Sequence, residues 1–311
     1  MTNLNLLPPD IQAAANTAWQ RAQEGEKTQY SDATSQSFGS AALLDTLNAD
    51  VKEAREKGRA GFSKLESITN PETKRAFETA FALSERLVSY IGLSAPTPEQ
   101  MVSVGVNLQY LAEQFALMEK KEGVAPHVVL APHGLGEKNW LAIARKMTSD
   151  TNILNNPLQI RGHDHGLHVD LSIKDGAWHS SDQVPTSTTT PALNRLPTHQ
   201  DKIHPNIKWT LRLLSGRKRP NRTFISYQQS QEQTPPIEHQ TLAEGLTDKL
   251  TAILAGDTPT DENYYSLCWQ PNPDATQILS IRSNVCYGLI YISWVKTYHR
   301  DRGVGIRSPI G

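Results

Sequence analysis

The feature that most constrains the fold of this chain is a change in the spacing of its apolar residues near Gly123. Before Gly123, apolar residues recur at three- and four-residue intervals, which is the period of one face of an α-helix. The clearest helix begins at Thr97-Pro98-Glu99-Gln100, a capping box with proline at the first helical position. Its predicted apolar face, which runs on to Gly123, comprises Met101, Val104, Leu108, Leu111, Phe115 and Met118.

A second helix is predicted to begin at Asn70-Pro71, where asparagine is a suitable cap and proline fits the first turn. Its apolar face contains Phe77, Phe81, Val88 and Ile91, and Gly92 ends it. Apolar residues at helical spacing also precede it, namely Leu44, Leu47, Val51 and Ala54. We therefore expect residues 40–123 to form a helical bundle.

After Gly123 the apolar runs become short, which favours strands mixed with helices. Strands are predicted at 128–130, within 153–173, and at 208–214, 223–228 and 264–269, with helices at 137–147 and 239–255. Residues 182–206 are rich in Thr, Pro, Asn and Gln and are typical of a loop insertion. The predicted class is α+β, with a helical amino half packed on a mixed or antiparallel sheet at 124–311.

The amino-terminal segment 1–39 is predicted to be a flexible polar leader with one short helix. It lacks the basic and apolar regions of a secretory signal, and the longest apolar run, 285–295, is shorter than the roughly 20 residues of a membrane span. Two cysteines are too few for a disulfide framework. We expect a soluble protein without a membrane span, either cytoplasmic or exported without a cleavable signal peptide, as some effectors are.

The 31 Lys and Arg residues nearly balance the 32 Asp and Glu residues, giving a net charge of −1. This balance excludes a global attraction to nucleic acid or anionic membrane, so any basic surface is local.

Two segments contain the residue types of a thiol nucleophile and its base. Cys286 opens an apolar run that, as a helix capped by Asn284, would place the thiol at a positive helix end. The β-branched and aromatic residues of this run also fit a strand, which would remove the dipole. His168 begins a strand on which His168, Asp170 and Ser172 alternate with apolar residues. The Asp175-Gly176 turn would then bring His179 back beside it. Cys268, between Leu267 and Trp269, is predicted to have a packing role.

These segments resemble those of a known family. Cys286-Tyr287-Gly288-Leu289-Ile290 resembles the Cys-Ser-Gly-Leu-Val helix start of NlpC-type cell-wall endopeptidases, and the segment 168–179 resembles their histidine hairpin. The resemblance implies a papain-like fold with Cys286 as nucleophile, His168 as base and His179 as the orienting third residue. The chain departs from that pattern because Tyr287 stands where serine is usual and the cysteine follows the histidines.

Histidine before cysteine is the order in permuted relatives, such as the lecithin-retinol acyltransferase-like enzymes, and in the adenain-like clan of SUMO proteases and bacterial acetyltransferase effectors. Resemblance to that clan implies an acid after the second strand, which makes Asp182 a candidate. A second alignment with the clan places Lys208 at the histidine position and Gln228 or Gln229 at that of the acid, which would describe an inactive copy. Both alignments remain open at this level.

Two other functions compete with the thiol hypothesis. His163, His165 and His168, with Asp164 and Asp170, offer enough nitrogen and oxygen donors for zinc or another divalent ion. The segment 202–222 contains seven Lys or Arg residues and no acid, which is typical of nucleic-acid binding or of a protein-binding adaptor. Its candidate contacts, on a predicted hairpin tip and its flanks, are Lys208, Trp209, Arg217, Lys218, Arg219 and Arg222.

From the sequence we expect a cysteine-dependent hydrolase or acyltransferase acting on an amide, isopeptide or ester bond, with no cofactor. The substrate or partner is a peptide, a protein or an acyl donor, and the alternatives are a nucleic-acid- or protein-binding adaptor and a metal-binding protein.

Overall fold

The computed structural model describes residues 63–149, 168–170, 196–220, 222–223, 225–234, 237–261, 264–271, 277–284, 289–299 and 303–311. All of them belong to one compact unit that spans residues 47–311.

Seven helical segments lie in this part of the chain. A 3₁₀ helix at Ser63–Ser67 precedes α1 (Pro71–Ser89), α2 (Pro98–Ser103), α3 (Leu108–Glu122), α4 (Glu137–Ser149), α5 (Tyr227–Gln231) and α6 (Leu242–Leu254). No helix of the described residues is long and apolar enough to cross a membrane.

The caps of the early helices are those that the sequence predicts. The Asn70 side chain accepts hydrogen bonds from the amides of Glu72 and Thr73 at the start of α1. Thr97 and Gln100 form a reciprocal capping box at the start of α2. Each satisfies amides that have no partner within the helix.

The long helix predicted from Thr97 to Gly123 is in fact two helices. α2 ends after Ser103, and Gly105 then adopts a φ of +99°, a conformation that a helix cannot contain. Asn107 caps α3 by accepting a hydrogen bond from the Tyr110 amide. Gly123 ends α3 in the left-handed conformation, as predicted.

The strands form two sheets. β1 (His127–His133), β3 (His199–Gln200) and β4 (Lys208–Leu214) make a three-stranded antiparallel sheet in the order β1-β4-β3. The six-stranded sheet has the order β2-β8-β7-β6-β9-β5. Its strands are β2 (His168–Asp170), β5 (Arg222–Thr223), β6 (Tyr265–Pro271), β7 (Gln277–Asn284), β8 (Leu289–Lys296) and β9 (Val304–Ile306).

Helix α6 lies between the two sheets. It contacts β1 of the three-stranded sheet and β6 and β7 of the six-stranded sheet, while α1 and α3 pack on β1 and β4. Eleven of its thirteen residues are buried, and three of those, Glu244, Asp248 and Lys249, are charged. One hydrophobic core extends from Leu65 to Ile292, so the described helices of the amino half share it with both sheets.

The α+β class and the helical-then-sheet layout agree with the prediction, and so do the elements β1, α4, β4, α6 and β6. Two predictions for residues 217–228 are wrong. Residues 223–228 do not form one strand, because β5 ends at Thr223 and the Ser226 capping box starts α5. Arg217, Lys218 and Arg219 are not a hairpin tip, because β4 and β5 belong to different sheets.

Gly245 lies where α6 packs against β7 of the six-stranded sheet. A Cβ atom at this position would lie 3.1 Å from Cγ2 of Ile281 and 3.2 Å from Nε2 of Gln240. Both contacts are tighter than ordinary van der Waals separation, so glycine allows the helix to lie this close to β7.

We predict that Gly245→Ala lowers the free energy of unfolding by about 1 kcal/mol. Alanine inside a helix normally stabilises by up to about 1 kcal/mol relative to glycine, but overpacking a core costs about 1–3 kcal/mol. Urea unfolding measures the difference. Ile281→Leu removes the Cγ2 methyl group that the alanine Cβ would contact, so Gly245→Ala should lower the free energy of unfolding by less in that background. Equal costs in the two backgrounds would contradict this packing account.

Candidate functional site

His168 begins β2, which pairs in parallel with β8 so that His168 lies opposite Leu289. β8 also pairs with β7, with Leu289 opposite Asn284. His168 is therefore at the end of the sheet where β7 ends and β8 begins. Cys286 is in the segment 285–288 that connects those two strands.

The described residues do not include the other predicted catalytic and metal-binding positions. Cys286, His179, Asp182, His163 and His165 lie outside them, and β2 is described by its backbone alone. In the described part of the chain, no group of three or more His, Cys, Asp or Glu residues could hold a metal ion.

The helix predicted after Cys286 is wrong, because residues 289–296 form the strand β8. Asn284 is the last residue of β7 and not a helix cap. The alternation of Ile290 and Ile292 with more exposed neighbours suits a half-buried strand, and eight residue pairs join β8 to β7. The helix start implied by the NlpC-type resemblance is therefore absent at Leu289-Ile290, and no helix dipole acts there.

The end of β7 nearest Cys286 is held by hydrogen bonds to a buried turn. The Ser283 hydroxyl donates to the carbonyl oxygen of Thr260 at 2.8 Å, and the Ser283 amide donates to that of Asp261 at 3.4 Å. Ser283 is 2% exposed. The strand that leads to Cys286 is thus fixed three residues before it.

The buried turn contains a closed ionic cluster around Asp261. Its carboxylate accepts hydrogen bonds from Lys249 Nζ at 3.0 Å and from Arg307 Nη2 at 2.7 Å and Nε at 3.3 Å. The three side chains are fully buried. Burial alone would raise the pKa of Asp261, but the Arg307 and Lys249 charges hold it below its ordinary value. Asp261 also has a φ of +60°, which is uncommon outside glycine.

A carboxylate of α6 binds a histidine at the edge of the same cluster. Asp248 accepts from Thr260 Oγ1 at 2.6 Å, and its other oxygen lies 2.5 Å from His127 Nδ1. The Asp248 side chain is 2% exposed and that of His127 is 34% exposed. Burial would lower the pKa of His127, but Asp248 raises it, and His127 in turn lowers the pKa of Asp248 against its own burial.

Glu244, one helical turn before Asp248, makes the third polar contact of α6. It lies 3.5 Å from Thr210 Oγ1 and from Arg212 Nη1, and Arg212 Nη2 lies 2.7 Å from Glu238. His133 Nε2 is 2.9 Å from the same Thr210 hydroxyl. Burial lowers the pKa of His133 to about 4, so this imidazole is neutral at neutral pH.

These contacts differ in what they can do chemically. Lys249, Asp261 and Arg307 are enclosed and paired, which suits a structural role. His127 is a partly exposed imidazole whose Nδ1 is fixed by a carboxylate, which is the arrangement of an oriented general base. Sequence reasoning missed it because His127 and Asp248 are 121 positions apart. The only available pattern was Glu244 and Asp248, four residues apart on a predominantly apolar helix.

The second cysteine has the packing role that was predicted. Cys268 lies on β6 and is fully buried in the main core. Burial raises the pKa of its thiol far above the ordinary value, so it is not a thiolate at neutral pH.

The basic segment differs from the surface that the sequence predicts. Trp209 is fully buried and offers no stacking face. Arg217 donates to the Glu122 carbonyl oxygen, and the Arg219 guanidinium lies 5.1 Å from the centre of the Tyr264 ring. Arg217, Lys218 and Arg219 are exposed, whereas Lys208 is half-buried. For Arg222 the structure describes the backbone in β5.

We predict that Asp261→Asn lowers the free energy of unfolding by about 3–5 kcal/mol, because it removes the one carboxylate that pairs directly with both buried cations, Lys249 and Arg307. Asparagine tolerates a positive φ as well as aspartate does, so the change tests the charge and not the backbone. Chemical denaturation provides the measurement, with exposed Glu232→Gln as the matched control. Adding Lys249→Met should recover part of the loss. A cost below about 1 kcal/mol would contradict the role given to this cluster.

The His127–Asp248 pair predicts a pH dependence of stability. Folding raises the pKa of His127 above its ordinary value of 6.5. The stability that protonated His127 contributes is therefore complete below pH 6.5 and is lost as the pH rises through the pKa of the folded state. Folding lowers the pKa of Asp248 below its ordinary value of 3.8, so the stability that ionised Asp248 contributes is present above pH 3.8 and is lost as the pH falls through the pKa of the folded state. The stability lost in His127→Gln should thus be larger at about pH 5.5 than at about pH 8.5.

Urea unfolding at the two pH values measures this difference. His204, which is exposed, supplies the control His204→Gln, whose effect should be small and equal at both. A loss in His127→Gln that did not change with pH would show that the pair is not ionic.

Comparison of the chain with protein-family models, with curated proteins and with solved structures gives no significant match. The functional hypotheses for this chain therefore depend on its own residues and geometry.

Proposed function

We propose that the protein is a cysteine-dependent hydrolase or acyltransferase in which Cys286 attacks the carbonyl carbon of an amide, isopeptide or ester bond. The observation that carries the proposal is the parallel pairing of β2 with β8, in which His168 lies opposite Leu289. Leu289 is three residues after Cys286. The pairing thereby joins His168 and Leu289, which are more than a hundred positions apart in the sequence, at the end of the sheet where β8 begins.

Chain geometry limits how far apart the two residues can be. Three residues span at most about 11 Å, and neighbouring strands lie about 5 Å apart. The fixed position of Ser283 restricts the segment from its other side. Direct contact between the Cys286 thiol and the His168 imidazole fits within these limits, which supports the proposal.

The proposed chemistry begins with transfer of the Cys286 thiol proton to His168. The thiolate then attacks the carbonyl carbon, and the leaving amine or alcohol takes the proton from the imidazolium as the acyl-enzyme forms. Water or an acceptor nucleophile, deprotonated by the same imidazole, then releases the acyl group. This chemistry requires no cofactor. His179 or Asp182 remains the proposed third residue that orients His168.

The absence of a helix after Cys286 changes what activates the thiol. A helix N-terminus and a neighbouring imidazolium both stabilise a thiolate, and β8 removes the first of these. The proposal therefore depends on His168, and not on a helix dipole, for thiolate formation. A variant without His168 should retain almost no activation, whereas a papain-like site would retain the contribution of its helix.

The alternative functions receive less support from the described residues. The basic segment lacks its expected stacking face because Trp209 is buried, and Arg217 and Arg219 already contact neighbouring groups of the protein. Binding of nucleic acid or of a partner protein there remains a hypothesis based on exposed charge. The metal hypothesis stays a prediction for His163, His165 and His168.

We predict that iodoacetamide near neutral pH labels Cys286 much faster than Cys268. An activated thiol has a pKa below the value of about 8.5 for free cysteine, whereas Cys268 is buried with a raised pKa. His168→Ala should slow labelling of Cys286 by at least about tenfold, and His204→Ala, at an exposed position, should leave the rate unchanged. Mass spectrometry of timed samples gives the rate at each cysteine.

Two outcomes would contradict the proposal. One is a Cys286 that reacts only after denaturation, which is the behaviour of a core residue. The other is a fast reaction that is indifferent to His168→Ala, which would assign the activation to another group. Cys286→Ser should abolish hydrolysis or transfer with a melting temperature close to that of the unmodified protein.

A further inference from the structure

Arg282 of β7 lies on the face of the six-stranded sheet that is turned away from α6. Its neighbour Ile281 lies against Gly245 of α6, and successive side chains of a strand point to opposite faces. Arg282 stands opposite Tyr291 of β8, and extending the register of β6 with β7 by one pair places Tyr265 opposite it on the other side. The three residues therefore form one row across three neighbouring strands.

The rings of the two tyrosines flank the guanidinium group of Arg282. Its Cζ atom lies 4.6 Å from the centre of the Tyr265 ring and 4.6 Å from the centre of the Tyr291 ring. Both separations are within the range in which an aromatic ring attracts a cation. A guanidinium group carries its N–H donors in its plane, so rings on its two sides hold it in position and leave donors at its edge.

Arg282 has no anionic partner in the part of the chain that the structure describes. Its Nε atom is buried without a hydrogen-bond partner, and none of the ion pairs between described residues includes it. Arg212 and Arg307, by contrast, both pair with carboxylates. The position of Asp170, the next in the row, is separated from Arg282 by Tyr291. Arg282 is half-buried, so part of this fixed cation is open to solvent.

The row lies next to the sheet end at which the candidate thiol site is placed. Asn284 is two residues after Arg282 on β7 and pairs with Leu289 of β8. His168 of β2 stands opposite Leu289. Positions two residues apart on a strand share a face and lie about 7 Å apart. The position of His168 is therefore on the same face of the sheet as Arg282, one such step along the strands.

We propose that Arg282 binds a carboxylate group and that the substrate of Cys286 carries this group. The N–H donors of a guanidinium match the two oxygens of a carboxylate in one plane, which gives a strong and directional contact. The register places this contact within about 10 Å of the carbonyl carbon that the thiolate attacks. The substrate is thus an amide or ester with a negative charge a few bonds from the cleaved bond.

The substrate part of this proposal rests on the proposed function, whereas binding at Arg282 does not. Cys286→Ser cannot form an acyl-enzyme but retains Arg282, so carboxylate binding is measured in that variant. Absence of binding there would overturn the present proposal and leave the thiol chemistry standing. An inert Cys286 would overturn the thiol chemistry and the substrate assignment, and leave the binding result standing.

The first test is an NMR titration of full-length Cys286→Ser with glutarate, a small dicarboxylate, and with glutaramide, its neutral diamide. We expect glutarate to shift the amide resonances of Arg282 and Tyr291 with a Kd of about 1–10 mM, and glutaramide to shift neither at the same concentration. Adding Arg282→Gln should weaken glutarate binding at least about tenfold, and Arg282→Lys should weaken it less because the charge remains. Equal shifts by the two probes would overturn the proposal.

Lys296→Gln is the matched control for the charge. Lys296 is an exposed cation of β8 whose Nζ lies 5.5 Å from the centre of the Tyr298 ring, at the other end of the strand. Its replacement should leave glutarate binding unchanged. An equal loss in Lys296→Gln and Arg282→Gln would show a general effect of net charge and would overturn the assignment to Arg282.

The second test links Arg282 to the thiol through two disulfide reagents. Dithiobis(nitrobenzoate) carries a carboxylate near each sulfur, and dithiodipyridine is neutral at about pH 7.5. We expect Arg282→Gln to slow the reaction of Cys286 with the anionic reagent at least about tenfold and with the neutral reagent less than about twofold. A purely structural effect of the substitution would slow both reagents alike. That outcome would overturn the substrate assignment.

Discussion

The ion pairs of Asp261 with Lys249 and Arg307 are the contacts on which the arrangement of this protein depends. They join α6, the turn before β6 and the segment after β9, three parts of the chain that are distant in sequence. Buried ion pairs of this kind add little net stability, but removing one partner is costly because the other charge remains buried. The cluster therefore selects one arrangement of helix and sheet more than it strengthens the core. Ser283 and Thr260 extend that arrangement to the end of β7.

The sequence predicted well those elements that are determined locally. Asn70, Thr97 and Gly123 define helix ends through hydrogen bonds within a few residues, and each is found as predicted. The helix favoured for the run after Cys286 is wrong, because the branched and aromatic residues of that run suit a buried helix or a strand equally on local grounds. Its pairing with β7 and β2 decided between them, and that pairing is not visible from spacing. Gly105, followed by the cap residue Asn107, was a local indicator that the helix is interrupted there. The regular spacing of the apolar residues outweighed it.

The candidate site was less predictable than the fold because its residues are brought together by contacts between distant parts of the chain. His168 was selected by its place at the start of a polar strand face, and the structure places it beside β8, whereas the helix expected after Cys286 does not exist. His127, Asp248 and Asp261 were not selected at all. Charged residues within a helix usually mark a solvated face, and here the charged residues of α6 point into the protein. Only the positions of both sheets show why eleven of the thirteen residues of α6 are buried.

The enclosure of α6 has a consequence for synthesis of the chain. Arg307 follows Asp261 by 46 positions, so a nascent chain completes α6 and much of both sheets before the second cation of the cluster is made. Until then Asp261 has one cationic neighbour, and β6 lacks the strand β9 that pairs with it in parallel. An incomplete chain that buried α6 would leave the Asp261 carboxylate without its two hydrogen bonds from Arg307. The contacts that join both sheets to α6 are therefore complete only once β9 and Arg307 are in place.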